Sequence, residues 1–180
     1  MNKPLKIFLI NTVIQKLPES IGNLTGLACI DISNNRKFKY LPSSLFMLPN
    51  VDAFKIGGCP QLRESFKSFV HGPSAANVRP TLRTLYFGKG GLSDEDLLAI
   101  LNCFKKLEEL TASENNFVSI PACIKECNHL TSLDMSGCWE LQKIPECTDL
   151  RILNFNQCGN LAEISWLPST IQKFQDIAST

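Results

Sequence analysis

Residues 107–130 read LEELTASENNFVSIPACIKECNHL, and this stretch decides the fold. Its apolar and turn positions are, in order, Leu107, Leu110, Ala112, Asn115, Phe117, Ile120–Pro121, Ile124 and Cys127. The next leucine of the same kind is Leu130, 23 residues after Leu107. The first apolar positions alternate as they do along a short strand, and the asparagine and proline follow at a turn. We therefore predict a unit made of a strand, a sharp turn and a return leg.

The rest of the chain consists of more or less faithful copies of this unit. After a partial first copy, the opening residues are Leu27, Val51, Leu82, Leu107, Leu130 and Leu150, at intervals of 24, 31, 25, 23 and 20. The spacing L-x-x-L-x-L-x-x-N/C-x-L at such intervals is the pattern of leucine-rich repeats. We predict an α/β fold in which residues 1–180 form a single domain. It is a leucine-rich-repeat solenoid of about seven repeats, shaped as a horseshoe arc with a parallel sheet on the concave face.

The ninth position of each repeat is predicted to hold neighbouring turns together. The leucines of one repeat cannot be buried alone, and stacking buries them at roughly 1.5–3 kcal/mol each. At the ninth position, the amides of Asn35 and Asn115 are expected to satisfy backbone groups of the turn and to stack into a ladder. The thiols of Cys59, Cys138 and Cys158 occupy the same position. Leu-Pro or Ile-Pro pairs then begin the return leg, where proline needs no ladder hydrogen bond.

One region departs from the repeat by its extra length. Residues 63–80 replace an ordinary return leg, and Gly72–Pro73 predicts an irregular insertion there. Insertions in repeat proteins map to one face and sometimes bind partners. This one is interpreted either as a tolerated surface loop or as a partner-binding loop.

The fourth repeat, residues 82–106, is expected to carry a true helix. Residues 92–107 read LSDEDLLAILNCFKKL, in which Ser93 and Asp96 form a capping box and apolar residues follow at helical spacing. Lys105 and Lys106 are expected in the last turn, where cations complement the helix dipole. The other return legs are predicted to be short helical turns or irregular.

Composition limits the possible functions. The formal net charge is +1, so no bulk attraction to nucleic acid is expected. No run of 18 apolar residues occurs, so no membrane span is predicted. The two histidines, His71 and His129, stand outside any catalytic motif and are expected at the surface. We predict that the chain is not an enzyme and uses no cofactor.

The eight cysteines suggest metal binding or disulfides, but their positions favour a structural role. Three occupy the ninth repeat position, and Cys123 and Cys127 fall on a return leg. Reduced thiols of a cytosolic protein are the main interpretation. The alternative is a metal site from Cys123-x-x-x-Cys127-x-His129, which lacks a second ligand pair at a convincing spacing.

The first repeat is expected to expose apolar side chains. Terminal repeats of solenoids usually carry a polar outer face. Here Ile7 and Leu9 stand at an open edge, and Phe8 and Ile10 occupy positions that face outward. Poor solubility or self-association at this edge is therefore predicted.

Longer motifs point to a particular family. Residues 91–145 contain N-F-x-x-I-P-x-C-I-K-E-C-x-x-L followed by L-x-x-L-D-M-S-G-C-x-x-L-Q-K-I-P, and the chain closes with WLPSTIQKF. These stretches resemble the late repeats of plant intracellular immune receptors with an N-terminal Toll/interleukin-receptor-like domain and a central nucleotide-binding domain. The chain looks like a fragment or a truncated relative of such a receptor. It has no G-x-x-x-x-G-K-[ST] motif, so the nucleotide chemistry of those receptors is not assigned to it.

The resemblance implies a non-enzymatic protein–protein recognition module in plant defence signalling, located in the cytoplasm or nucleus. It would sense a pathogen protein or hold a receptor autoinhibited. Expected partners are a pathogen effector, a guarded host protein or the receptor's own nucleotide-binding domain. A general leucine-rich-repeat scaffold and an extracellular receptor ectodomain are the alternatives. Against the ectodomain, the segments FVSIP, LQKIP and IQKLP lack the glycine of the extracellular plant pattern G-x-I-P.

The strand positions between the leucines are the predicted partner-binding surface on the concave face. They are Lys55, Arg83, Tyr86, Lys89, Glu108, Glu109, Thr111, Glu114, Asp134, Arg151 and Asn154. This set places a basic patch beside an acidic one, with a tyrosine at the boundary. Aromatic and arginine side chains are favoured interface anchors. The alternative is a solvated strand face with salt links between neighbouring strands, such as Lys89 with Glu114.

Overall fold

The structure, a computed structural model, describes residues 3–73, 81–147, 149–162, 164, 167 and 169–175. Residues 173–175 are described by their backbone only. Its centre is a parallel sheet in which the strands follow one another in chain order. They are β1 Leu5–Phe8, β2 Leu27–Asp31, β3 Ala53–Lys55, β4 Thr84–Tyr86, β5 Glu109–Thr111, β6 Ser132–Asp134, β7 Ile152–Asn154 and β8 Lys173–Gln175. Consecutive parallel strands joined by return legs confirm the predicted solenoid.

The register aligns equivalent residues across the whole sheet. Phe54, Leu85, Leu110 and Leu133 lie opposite one another on successive strands, and each is at most 1% exposed. Their neighbours in each strand point to the other face, because side chains alternate along a strand. The repeat leucines therefore form one continuous core, as predicted. An eighth strand, β8, extends the sheet beyond the seven repeats read from the sequence.

Prolines begin the return legs, as expected. Pro18, Pro42 and Pro121 each directly precede a short 3-10 helix, at Glu19–Asn23, Ser43–Met47 and Ala122–Glu126. Their φ angles of −71°, −65° and −60° are those that the proline ring imposes. These compact turns bring the chain back to the start of the next strand.

The predicted helix of the fourth repeat is helix α2, Asp94–Cys103. Ser93 caps it, and Asp96 completes the capping box by accepting hydrogen bonds from the Ser93 amide and hydroxyl, both at 3.0 Å. The expectation for Lys105 and Lys106 was wrong. The helix ends at Cys103, so both lysines follow it and lie outside its last turn.

The prediction of an irregular insertion fails for its first half. Residues Arg63–Val70 form helix α1, which turns Phe66, Phe69 and Val70 into the core. Phe69 stacks on Phe46 of the preceding return leg, with ring centroids 3.6 Å apart. The third repeat therefore carries a helix as well as the fourth. The predicted excursion at 74–80 lies outside the described residues.

Strands β1 to β7 are each followed by a turn of constant geometry. Residues Asn11, Asn34, Gly58, Lys89, Glu114, Gly137 and Gln157 precede the ninth positions and have positive φ between 54° and 72°. Successive turns are joined by backbone hydrogen bonds, such as Lys89 N to Ser113 O at 2.9 Å. Asparagine and glycine adopt this left-handed conformation readily, whereas lysine, glutamate and glutamine do so at some cost.

The predicted ladder is present at the ninth positions. Asn115 donates from Nδ2 to the carbonyls of Phe87 and Ala112, and its Oδ1 accepts from the amides of Gly90 and Leu92. Asn35 likewise donates to Leu9 O and accepts from the Thr12 amide. The thiols of Cys59, Cys138 and Cys158 donate to carbonyls of the preceding turn at 3.2–3.4 Å. Asparagine and cysteine at this position thus both donate hydrogen bonds to the preceding turn, and the asparagine amide forms more of them.

Candidate recognition surface

Five of the eleven predicted partner-binding residues form one row across the sheet. Lys55, Tyr86, Thr111, Asp134 and Asn154 lie opposite one another on strands β3 to β7. Each follows the buried central residue of its strand, so its side chain points to the concave face. All five side chains are partly accessible. We call this set the concave row.

Four other predicted residues form two ion pairs across strands β4 and β5. Arg83 Nη1 lies 2.6 Å from Glu108 Oε1, just before the strands begin, and Lys89 Nζ lies 3.1 Å from Glu114 Oε1 in the turns that follow. The predicted basic and acidic patches therefore neutralise each other at these positions. For these four residues the geometry favours salt links between neighbouring strands. Such exposed pairs contribute only about 0.2–1 kcal/mol each.

Two members of the concave row also stabilise the turns. Asp134 Oδ1 accepts a hydrogen bond from the Ser136 amide at 2.9 Å, and Asn154 Oδ1 accepts one from the Asn156 amide at 3.1 Å. Asn154 Nδ2 also donates to Asp134 Oδ2 at 3.1 Å. Asp31 makes the same bond to the Ser33 amide, and it lies opposite Lys55. This carboxylate extends the row to β2 and was not predicted.

The ring of Tyr86 lies directly against Gly57 in the neighbouring repeat. A Cβ atom added to Gly57 would lie far inside van der Waals distance of the Tyr86 ring. The tyrosine therefore depends on a residue without a side chain beneath it. Its ring is partly exposed between Lys55 and Thr111, which makes it the aromatic centre of the concave row.

The remaining two predicted residues lie next to the row. Glu109 precedes buried Leu110 on β5 and forms no ion pair with any described residue. Arg151 directly precedes β7 and is exposed. Glu109 belongs to a second row, formed by the residue that precedes the buried central residue of each strand, and side chains of this row point to the same face as the concave row. Sequence reasoning missed the other members of this row, and their position before the central apolar residue is the signal that could have found them. They are Lys6, Cys29, Ala53, Thr84, Ser132 and Ile152.

A buried carboxylate joins the two helices on the other side of the core. Asp96 is 1% exposed, and its oxygens lie 3.1 Å from Lys67 Nζ and 2.9 Å from His71 Nε2, both of the α1 segment. Burial acts to raise the pKa of Asp96, but hydrogen bonds from Ser93, His71 and Lys67 outweigh it and hold the pKa below its usual value. His71, expected in an irregular loop, caps the end of α1. This cluster links repeats three and four.

Burial is the largest influence on the pKa of the cysteine thiols for which the structure gives a shift. Burial raises the pKa of Cys138 to about 12 and that of Cys147 to about 11, so both remain protonated thiols. Cys123 and Cys127 lie on the 3-10 helix at Ala122–Glu126 and at its end. Over the same residues, no group of three His, Cys, Asp or Glu side chains is placed to hold a metal ion. No described helix is long and apolar enough to span a membrane.

Comparison with known proteins agrees with the fold. A family model described as "Disease resistance protein RPS4B-like, leucine-rich repeats" matches residues 1–178. One curated relative is the disease resistance-like protein DSC1 of Arabidopsis thaliana, which is 39% identical over 56 residues. That match covers 31% of this chain and 5% of the relative, so the chain spans a small part of the relative's length. By the match over nearly its whole length, this chain belongs to the leucine-rich-repeat family of RPS4B-like disease resistance proteins.

Proposed function

We propose that the chain is a non-enzymatic recognition module of plant defence that binds a protein partner through its concave row. The observation that carries this proposal is the uninterrupted row of accessible side chains on five adjacent strands. A rigid parallel sheet holds these side chains at fixed spacing, which lowers the entropy cost of binding. The partly exposed ring of Tyr86 at its centre is the kind of side chain that anchors interfaces.

The partner on this proposal is a pathogen effector, a guarded host protein or the nucleotide-binding domain of a receptor that carries these repeats. Binding would sense a pathogen protein, or would hold the receptor in its inactive state until the contact is broken. Such a switch requires that the partner bind one state more tightly than the other. We propose the cytoplasm or nucleus as the location, because disease resistance proteins are the matching family.

The ion pairs decide which substitutions test the proposal. Lys89→Glu combined with Glu114→Lys preserves the pair with reversed polarity, so it changes local charge placement without removing the link. Glu109→Lys and Tyr86→Ala instead change side chains that form no ion pair with any residue that the structure describes. Lys125→Glu, on the exposed convex 3-10 helix, is a matched charge control.

The experiment is proximity labelling in plant tissue with the wild type and these variants at equal abundance. We expect Tyr86→Ala and Glu109→Lys to lose the same set of labelled proteins, while Lys125→Glu keeps it. Purified wild type and Tyr86→Ala would then be titrated with the most depleted protein. An unchanged set of labelled proteins for both concave variants would refute the proposed surface.

A further inference from the structure

A tryptophan is exposed on the edge of the solenoid that is formed by the turns after the strands. Trp139 is 61% exposed, although described turns of the fifth and seventh repeats flank it on both sides. It directly follows the ninth-position residue Cys138, so it lies outside both the core and strand β6. The same position in the second to fifth and the seventh repeats holds Arg36, Pro60, Gly91, Asn116 and Gly159. Among these repeats, the sixth alone places a large aromatic side chain there.

The indole of Trp139 packs against a glycine of the seventh repeat. A Cβ atom added to Gly159 would lie 2.8 Å from Trp139 Cε3 and 3.1 Å from Trp139 Cζ3, so the six-membered ring of the indole lies directly against this residue. The Asn160 amide donates a hydrogen bond to Trp139 O at 3.1 Å, which joins the two turns beside the ring. One part of the indole is thus covered by the next turn, and the rest faces solvent.

A carboxylate lies beside the indole. Asn160 Nδ2 donates a hydrogen bond to Glu140 Oε2 at 3.3 Å, and Asn160 directly follows the glycine that contacts Trp139. Trp139 and Glu140 are consecutive residues, and their side chains reach consecutive residues of the seventh repeat. The indole and the carboxylate therefore lie next to each other on the surface.

Few charges surround this pair. The turns of the fifth to seventh repeats, residues 113–118, 136–142 and 156–161, contain only two charged residues, Glu114 and Glu140. Lys89 Nζ lies 3.1 Å from Glu114 Oε1, so the charge of Glu114 is compensated. Glu140 forms no ion pair with any residue that the structure describes. The carboxylate beside Trp139 is therefore available to a cation.

The nearest cation along the chain is Lys143, and it is placed toward the other neighbouring repeat. Its backbone pairs with Ser119 of the fifth repeat. There Asp94 accepts a hydrogen bond from the Ser119 hydroxyl at 2.8 Å, so a carboxylate lies on the side of Lys143 as well. Glu140 is instead bonded to the seventh repeat. The surface at Trp139 and Glu140 thus combines an aromatic ring with a negative charge.

We propose that Trp139 and Glu140 form a contact site that binds an arginine side chain of a protein partner. The planar guanidinium stacks on the exposed part of the indole, which attracts cations, and donates hydrogen bonds to the Glu140 carboxylate. A lysine pairs with Glu140 but stacks less well, because its ammonium is compact and strongly hydrated. A free quaternary ammonium fits poorly, since the described parts of these turns offer no second exposed aromatic ring to enclose it.

The test is a titration of the full chain with three short peptides, acetyl-Gly-Arg-Gly-amide and its lysine and citrulline counterparts. Citrulline keeps the shape of arginine and lacks its charge. Binding is followed by the NMR signals of the Trp139 indole and of the backbone amides around Asn160. We expect the arginine peptide to bind best and the citrulline peptide at least about five-fold more weakly. Salt should weaken the arginine peptide, because it screens the pairing with Glu140.

Two substitutions separate the roles of the ring and the carboxylate. Trp139→Leu keeps an apolar side chain and should remove most of the preference for arginine over citrulline. It also identifies the Trp139 indole signal, since the chain has two tryptophans. Glu140→Gln keeps a side chain that can bond to Asn160 and should weaken the arginine peptide about two-fold to five-fold, with the citrulline peptide unchanged.

Two matched controls distinguish this site from other surfaces. Glu126→Gln removes an exposed carboxylate from the 3-10 helix of the fifth repeat, and Tyr86→Ala removes the centre of the concave row. Neither should change the affinity for the arginine peptide, and urea midpoints verify that each variant folds. Because Tyr86→Ala leaves Trp139 in place, failure of either surface leaves the result for the other intact.

Three outcomes would overturn the proposal. The first is equal affinity of the wild type for the arginine and citrulline peptides. The second is a loss of arginine binding in Tyr86→Ala as large as in Trp139→Leu, because the peptide would then bind the concave row. The third is a wild-type dimer in sedimentation equilibrium that Trp139→Leu and Arg36→Gln each convert to a monomer, because a second copy of this chain would then supply the arginine.

Discussion

Replacing Asn115 by alanine tests the ladder directly. Its side chain is 3% exposed and makes two donor bonds at 2.9 Å, to Phe87 O and Ala112 O, and two acceptor bonds at 3.0–3.1 Å, from the Gly90 and Leu92 amides. Alanine leaves four buried backbone groups without these partners. At a net value of about 1 kcal/mol for each bond, we expect a loss of about 3–5 kcal/mol in the free energy of unfolding.

Asn115→Cys separates the contributions of these bonds. At Cys138 the thiol donates to Ala112 O at 3.4 Å, and the backbone amide of Asn115 hydrogen-bonds to its sulfur. A cysteine at residue 115 would therefore keep one donor bond and one weak acceptor bond. We expect Asn115→Cys to lower the free energy of unfolding by about 2 kcal/mol, so that the stability of this variant lies between those of the wild type and of Asn115→Ala.

The assay is urea unfolding followed by circular dichroism, with Asn116→Ala as the control. Asn116 is the exposed neighbour, and its backbone bond to Leu92 O does not need the side chain. It should change stability by less than about 0.5 kcal/mol. A loss below about 1 kcal/mol for Asn115→Ala, or equal losses for alanine and cysteine, would refute the ladder reasoning.

Three further outcomes follow from the structure. The folded pKa of Asp96 is held below its unfolded value, so its contribution to stability is present above about pH 4 and is lost as pH falls through the folded pKa. Asp96→Asn should therefore lower the free energy of unfolding by about 1–3 kcal/mol at pH 7. It should also reduce the change in urea midpoint between pH 5 and pH 3. Burial and a pKa of about 12 should protect Cys138 from alkylation at pH 8, so the partly exposed Cys123 should react before it, as read by peptide mass spectrometry. Gly57→Ala should cost about 1 kcal/mol by displacing the Tyr86 ring, and most of that loss should vanish when Tyr86→Ala is already present, in a double-mutant cycle of urea midpoints.

The sequence predicted features that depend on contacts repeated at fixed spacing. The leucines, the prolines and the ninth-position residues recur in several turns, so each copy supports the interpretation of the others. The Ser93–Asp96 capping box is local, and it too was confirmed. Helix α1 was not predicted, because most turns have no equivalent helix and Gly72–Pro73 indicated a loop. The sequence signal for the helix was nevertheless present, since Leu62, Phe66 and Phe69 follow helical spacing.

Contacts between non-equivalent positions could not be predicted in the same way. Asp96 was interpreted as a capping residue alone, and its bonds to Lys67 and His71 depend on how α1 packs against α2. The ion pair of Lys89 with Glu114 was predicted as the alternative interpretation of the strand face. Both residues precede a ninth position, so they lie in adjacent turns. The ion pair of Arg83 with Glu108 follows from the same strand register, because each residue directly precedes its strand, β4 or β5.

The positions that stabilise the solenoid are largely separate from those of the proposed recognition surface. The ladder and the leucines fix each turn through contacts on the core side, so Thr111 and Glu109 are free to vary on the concave side at little cost in stability. Asp134 and Asn154 are exceptions, because each also bonds a turn amide. A fold of this kind suits recognition, since its binding residues can change while its backbone stays in place. By the same logic, substitution of Asp134 mixes the loss of a contact surface with the loss of a turn bond, whereas substitution of Glu109 reports on the surface alone.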